Sequence, residues 1–269
     1  MRIPHPHPSL PELGEHGGRI DTHPCPYPCQ RPSALIQPHR FVDLVGSCSR
    51  PDPSGHLVGH WRTTVRIMST DDWLADTRTS YDTIAVSYAD QVRNLLVEQP
   101  YLRAALALFA DNVRAAGGGP VADVGCGPGY VTAHLHELGV DAFGIDLSPG
   151  MIEVARRDHP GLRFEVGSMT DLDLPAASVA GLLAWWSLIH IPDDEVPTVF
   201  GHFHRALRPG GPLQLGFHVG DESRSKTEHR RQPDQVATWL RDAGFEVEAQ
   251  LLLESDEKPG AVLFARRKT

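Results

Sequence analysis

The chain has 269 residues, of which 41% are apolar and 22% charged, with a formal net charge of −9. That is ordinary globular composition, enough for one domain of about 200 residues and an appendage. No apolar run approaches the ~18–20 residues of a membrane helix. No basic segment leads into an apolar one as in a secretory signal, and the acidic balance without a Lys/Arg run argues against nucleic acid as the partner.

Composition divides the chain. Residues 1–67 hold 11 of the 23 prolines, 7 of the 15 histidines and 3 of the 4 cysteines. Their seven arginines and five acids give +2, which leaves −11 for the remainder. Prolines interrupt every candidate element there, so no sustained helix or strand is expected, and the stretch reads as a disordered or loosely coiled leader. Cys25 and Cys29, near His23 and His39, have a spacing that zinc tolerates. No second Cys/His pair follows, and no metal is expected. Met68 reads as the natural start, with the leader upstream of it not necessarily native. Four cysteines (Cys25, Cys29, Cys48, Cys126) are too few for a disulfide framework, which points to a reduced cytoplasm.

From Asp71 the pattern becomes regular. Trp73, Leu74, Tyr81, Ile84, Ala85, Tyr88, Val92, Leu95 and Leu96 recur at helical spacing to about Val97. Pro100 opens a second helix carrying Leu102, Ala105, Leu106, Phe109 and Val113, and Gly117 to Pro120 stops it. Strands are expected at Val121–Val124, Val140–Ile145, Leu162–Val166, Val179–Ala184, Pro212–Val219, Phe245–Leu253 and Ala261–Arg266. Between them lie helices up to Leu138, from Ser148-Pro149 to Asp158, over Asp193–Leu207 and over Pro233–Ala243. Alternation of this kind makes a mainly parallel sheet with helices on both faces, and its ligands bind at the carboxyl ends of the strands.

The first strand and its turn read Val-Ala-Asp123-Val-Gly125-Cys126-Gly127-Pro-Gly129. Glycines let a ligand approach the backbone, and the following helix points its free N–H groups at that ligand. Seventeen residues beyond Gly129 the second strand ends at Asp146, placed to accept the hydroxyls of a ribose. The dinucleotide pattern G-x-G-x-x-G needs a glycine where Tyr130 stands. Asp123 would repel a pyrophosphate but suits a ligand carrying an ammonium or sulfonium group.

These motifs, with Gly-Ile-Asp146-Leu-Ser-Pro-Gly-Met-Ile-Glu and Leu-Arg-Pro-Gly-Gly211, resemble those of class I S-adenosylmethionine-dependent methyltransferases over about Asp76–Arg267. The resemblance implies a Rossmann-like, doubly wound α/β fold whose seven-stranded sheet has an antiparallel last strand inserted between the fifth and sixth. It divides the chain into the leader (1–67) and a methyltransferase domain (68–269) with lid helices at about 72–116. It also implies that Gly125, Cys126, Gly127 and Gly129 line the methionine and ribose part of the cofactor. Asp123 would seat its amino group, Asp146 would bind the ribose, and Leu147 would pack on the adenine. Ser168 and Met169 would lie at the adenine edge, and Ala184 and Trp185 near the methionine. Tyr81, in Ser-Tyr-Asp-x-x-Ala-x-x-Tyr88, would belong to the lid; Tyr88 reads equally as core packing.

Methyl transfer needs an oriented nucleophile and, if that nucleophile is protonated, a base. His190, after the fourth strand, and His218, after the fifth, are the candidate bases. Trp186 reads as a pocket wall or a buried structural residue. The pairs His134/His136 and His202/His204 face apart on their helices, so no shared metal is expected. The run Asp221–Arg231 reads as a short solvated loop. The expected activity is methylation of an O or N atom of a small molecule in the cytoplasm. The alternatives are a cofactor-binding protein without transferase activity and a nicotinamide-dependent oxidoreductase.

Overall fold

The computed structural model describes residues 41–46, 61–66, 70–220, 228–255 and 258–269. The cysteines and histidines of the leader considered for metal, and Met68, lie outside them. Two units make up the chain, one over 11–76 and one holding 77–269.

In the first unit β1 (Phe41–Gly46) and β2 (Trp61–Arg66) pair antiparallel, with Phe41 opposite Arg66 and Gly46 opposite Trp61. This corrects the expectation that no strand forms before residue 68. Val42 and Val45 in one run and Thr63, Thr64 and Val65 in the other favour extended backbone. Runs of six residues are too short to register as a sustained period.

Helix α1 (Thr70–Val92) leads into the second unit, followed by the single turn α2 (Leu95–Glu98) and helix α3 (Pro100–Ala115). The one helix expected to about Val97 is therefore broken after Val92. Asn94 O receives both Val97 N and Glu98 N, so a new turn starts there. Pro100 then forbids helical continuation through Gln99. Along α3 the face Leu102, Ala105, Leu106, Phe109, Ala110 and Val113 is buried, as the spacing predicts.

The remaining elements are β3 (Pro120–Val124), α4 (Tyr130–Glu137), β4 (Asp141–Asp146), α5 (Pro149–Asp158), β5 (Phe164–Val166), β6 (Gly181–Trp185), a 3-10 turn (Leu188–His190), α6 (Val196–Ala206), β7 (Pro212–His218), α7 (Pro233–Asp242), β8 (Phe245–Leu253) and β9 (Gly260–Arg267). The seven strands lie in the order β5-β4-β3-β6-β7-β9-β8. Strands β3 to β7 run parallel, and β9 is antiparallel to both β7 and β8. This is the doubly wound α/β sheet with its inserted last strand. Helices α3 and α4 cover the face that carries Val121, Leu183, Trp185 and Phe264.

Helix α6 starts three residues later than Asp193. Glu195 N closes a turn on Pro192 O, and the Asp193 carboxylate is drawn to Arg231. Ser148 caps α5 as expected, its hydroxyl accepting Met151 N at 3.0 Å.

Candidate functional site

The chemistry-bearing residues collect at the carboxyl ends of β3, β4, β5, β6 and β7. After β3 the chain reverses through Gly125 (φ 77°) and Gly129 (φ 83°), a region costly for any residue with a Cβ. At Gly125 a Cβ would also lie 2.2 Å from that of Ser187. The Ser187 hydroxyl donates to Val124 O at 2.7 Å, tying the loop after β6 to the loop after β3.

Asp146 holds this turn from β4. One carboxylate oxygen accepts Gly127 N and the other Ser148 N, each at 2.8 Å. Two oxygens offer about four lone-pair sites, so two stay available to hydroxyl donors. Burial, opposed by those two N–H groups, pushes its pKa up to about 6.

Asp123 is fully buried. One of its oxygens accepts the Thr132 hydroxyl at 2.7 Å; the other, Oδ1, has no hydrogen-bond partner among the described residues. Burial raises its pKa to about 7. A buried carboxyl oxygen without a donor is costly, and an ammonium group from a ligand would satisfy it. The lone pairs left on Asp146 and the orphaned Asp123 oxygen thus fit a nucleoside that carries an amino acid, such as S-adenosylmethionine.

The other predicted contacts vary. Cys126 is buried with its sulfur toward Gly144, among Ile152, Ala155 and Phe164, so its side chain belongs to the core and only its backbone can face a ligand. Leu147 is half-buried, and its carbonyl accepts Arg78 Nε at 3.2 Å. The Ser168 hydroxyl is engaged in its own turn, 2.7 Å from the Thr170 hydroxyl and accepting Thr170 N at 3.2 Å. Met169, Ala184 and Trp185 are buried.

Helix α1 closes the site from above. The Tyr81 hydroxyl lies 2.7 Å from His190 Nε2, and the two rings meet edge to face at 5.1 Å. Burial first, then the charges of Asp146 and Glu228, drive the Tyr81 pKa well above the phenol range. Tyr81 therefore remains a neutral phenol, hydrogen-bonded to His190 Nε2. Tyr88 packs edge-on against Tyr81 at 5.9 Å, inside the cluster formed by α1 and α5.

The structure brings His190 to Tyr81 but puts His218 in a buried network. His218 Nδ1 accepts the Trp186 indole N–H at 3.4 Å, its Nε2 is 3.6 Å from Glu228, and Lys258 Nζ is 4.0 Å from Glu228. Its ring is 1% exposed, which favours a structural role over that of base.

Three groups escaped the sequence reading. Arg78 and Asp82 latch α1 onto the loop after β4; the Asp82 carboxylate accepts the Ser148 hydroxyl and, at 2.9 Å, Gly150 N. Their four-residue spacing on one helix was the available signal. Arg231 carried none, because it stands in a charged run. The expectation of a solvated loop fails at Arg231: 221–227 lie outside the described residues, but Arg231 is 1% exposed and each of its three guanidinium nitrogens donates a hydrogen bond into the fold.

The family described as "Methyltransferase domain" matches residues 121–211, from β3 to the threshold of β7. Among curated proteins the chain is 31% identical over 155 residues to a ubiquinone biosynthesis O-methyltransferase of Xanthomonas axonopodis pv. citri, covering 49% of this chain and 64% of that one. It is 32% identical over 155 residues to phosphoethanolamine N-methyltransferase 3 of Arabidopsis thaliana, covering 51% and 31%. The chain thus spans less than two thirds of the length of either relative. Among solved structures, a Burkholderia thailandensis 1,6-didemethyltoxoflavin-N1-methyltransferase superposes with a TM-score of 0.58 at 20% identity, covering 88% of this chain and 99% of that one. Magnesium protoporphyrin IX methyltransferase from Synechocystis PCC 6803 gives 0.58 at 18%, covering 73% and 98%. Those two likenesses speak for the fold. No described helix is long and apolar enough to cross a membrane. With the matched segment supplying the glycine turn and Asp146, and the strand order completing the sheet around it, this chain is similar to class I S-adenosylmethionine-dependent methyltransferases in fold and in its glycine-turn segment.

Proposed function

We propose that the chain transfers a methyl group from S-adenosylmethionine to an oxygen or nitrogen atom of a small-molecule acceptor. The observation that carries this reading is the hydrogen-bonded Tyr81–His190 pair, set beside the Asp146-held glycine turn. The named O- and N-methylating relatives agree with it. The acidic body supports a small molecule over a polyanion. A cytoplasmic setting belongs to the same reading and rests on the low cysteine count.

In this mechanism Asp146 would receive the ribose hydroxyls, the orphaned Asp123 oxygen would receive the ammonium, and the backbone of Gly125 to Gly129 would hold the cofactor between them. When bound, S-adenosylmethionine supplies a methyl carbon made electrophilic by its sulfonium, which takes back an electron pair as that carbon leaves. His190 Nε2 would take the proton of the acceptor O–H or N–H through the Tyr81 hydroxyl, which takes up that proton as it hands its own to Nε2, and would later release it to water. Trp186 and the lid exclude water from the mouth of the sheet, which strengthens each of these contacts.

The deciding experiment is calorimetric titration of S-adenosylmethionine, S-adenosylhomocysteine and NAD into the wild-type chain and Asp146→Ala. The first two should bind, and the variant should weaken them by roughly 10- to 100-fold, the worth of hydrogen bonds to a charged group. Binding of NAD alone would overturn the reading. With an acceptor found by screening phenols and amines, His190→Ala should lower kcat by about 10²–10⁴. Cofactor binding with no transfer to any acceptor would mark a binding protein instead.

A further inference from the structure

We propose that Arg231 is the positioning residue of His190, a buried guanidinium that fixes the turn from which the imidazole reaches Tyr81. The inference rests on the reading of His190 as the base. Arg231 Nε donates to Asp193 at 2.9 Å, one terminal nitrogen donates to Leu188 O at 2.9 Å, and the other donates to Ile191 O. The two carbonyls bracket His190 on either side. The backbone around Arg231 is tied to the same place: its own N–H donates to His218 O at 3.1 Å, and His229 N donates to Ile189 O at 2.6 Å. The indole of Trp239 lies 5.7 Å from the guanidinium carbon.

Each contact has a physical reason. The 3-10 turn Leu188–His190 is a single turn, held within itself by His190 N on Ser187 O at 3.3 Å and Ile191 N on Leu188 O at 3.1 Å. Such a turn has poor intrinsic geometry, and the side chains of Leu188 and Ile189 are buried with no polar group to offer. Leu188 O takes a second donor from Arg231, Ile189 O takes His229 N, and Ile191 O takes the other end of the guanidinium. A guanidinium presents five N–H groups in one plane, enough to span two carbonyls and a carboxylate at once; an ammonium on a flexible stem cannot. Asp193 neutralises the buried charge, which explains why this carboxylate leaves the start of α6. The Tyr81–His190 bond at 2.7 Å depends on that turn, because a displacement near 1 Å would take it out of hydrogen-bond range.

The test is Arg231→Lys in the full chain with 15N-labelled histidine, read at one pH. The His190 ring signal is assigned by its loss in His190→Gln, and Tyr81→Phe supplies the signal of the broken bond. Arg231→Lys should move the His190 Nε2 resonance to its Tyr81→Phe position, while the Kd for S-adenosylhomocysteine stays within about twofold. A folded Arg231→Lys protein with a lowered melting point and an unmoved His190 resonance would overturn the proposal and leave Arg231 as a stability residue. If Arg231→Lys does not fold, Asp193→Asn, which leaves both carbonyl contacts, should move the resonance part of the way; no movement there overturns the proposal equally. The reading of His190 as base fails separately, if His190→Ala transfers methyl groups at the wild-type rate.

Discussion

Trp186 shows how much of the site depends on single residues. It follows β6 with φ at 51°, a left-handed conformation that costs a bulky side chain ~1–3 kcal/mol and persists only where the surroundings over-determine it. They do so here. Its N–H continues the ladder onto Gly216 O at 2.9 Å, its ring lies over Gly216 and Gly260, and it meets Trp185 edge-on at 4.7 Å. A Cβ on Gly216 would come within 2.6 Å of the indole. Gly216→Ala should therefore destabilise the protein by ~1–3 kcal/mol, lowering the melting point by ~2–4 °C per kcal/mol. It should also shift the indole N–H resonance of Trp186, which donates to His218. An unshifted resonance would mean that the ring is not held there.

At the scale of elements, helix α1 is anchored to the loop that follows Asp146. Arg78 and Asp82 of α1 bind the backbone after β4 and the first turn of α5, so the helix carrying Tyr81 and the loop carrying Asp146 move together. Asp82 acts as a second cap for α5, adding to Ser148. Asp82→Ala should cost about 1 kcal/mol, as losing a cap does, and speed amide exchange over residues 77–92 and 148–152. It should also weaken S-adenosylhomocysteine binding, which a change confined to the surface would leave alone. Exchange and affinity both at wild-type values would show that the lid is held by its apolar contacts with Met151 and Val154 alone.

At the scale of the molecule, the sheet buries the Asp123 carboxyl group, and the sign of the effect is definite. Asp123 has a folded pKa of about 7 against 3.8 for an ordinary aspartate, so the folded protein binds this proton more tightly than the unfolded chain. Its contribution is most favourable at low pH and is lost as pH rises from near 4 through 7. Other groups oppose it: burial lowers the pKa of His159 and His204, which costs stability in acid. The comparison that isolates Asp123 is the melting point of Asp123→Asn minus that of wild type, which should become more positive from pH 5 to pH 8. With S-adenosylhomocysteine bound, its ammonium should favour the ionised carboxylate and flatten that trend. A difference independent of pH would mean that Asp123 is already ionised in the folded protein.

The α/β alternation, the glycine turn, the capping Ser148 and the acid ending β4 were all legible in the residues, because each follows from local backbone geometry or from a short spacing. Strand order and the antiparallel insertion came through resemblance rather than periodicity, since pairing between distant strands leaves no local mark. The strands at 41–46 and 61–66 were missed for the same reason: short runs are defined by their partner. Tertiary structure alone decided that Tyr81 meets His190 across 109 residues, that Cys126 turns into the core, that His218 is enclosed by Trp186 and Glu228, and that Arg231 in a charged run is buried. A side chain's chemistry is written in its type, but its burial and its partners depend on which distant segments fold against it.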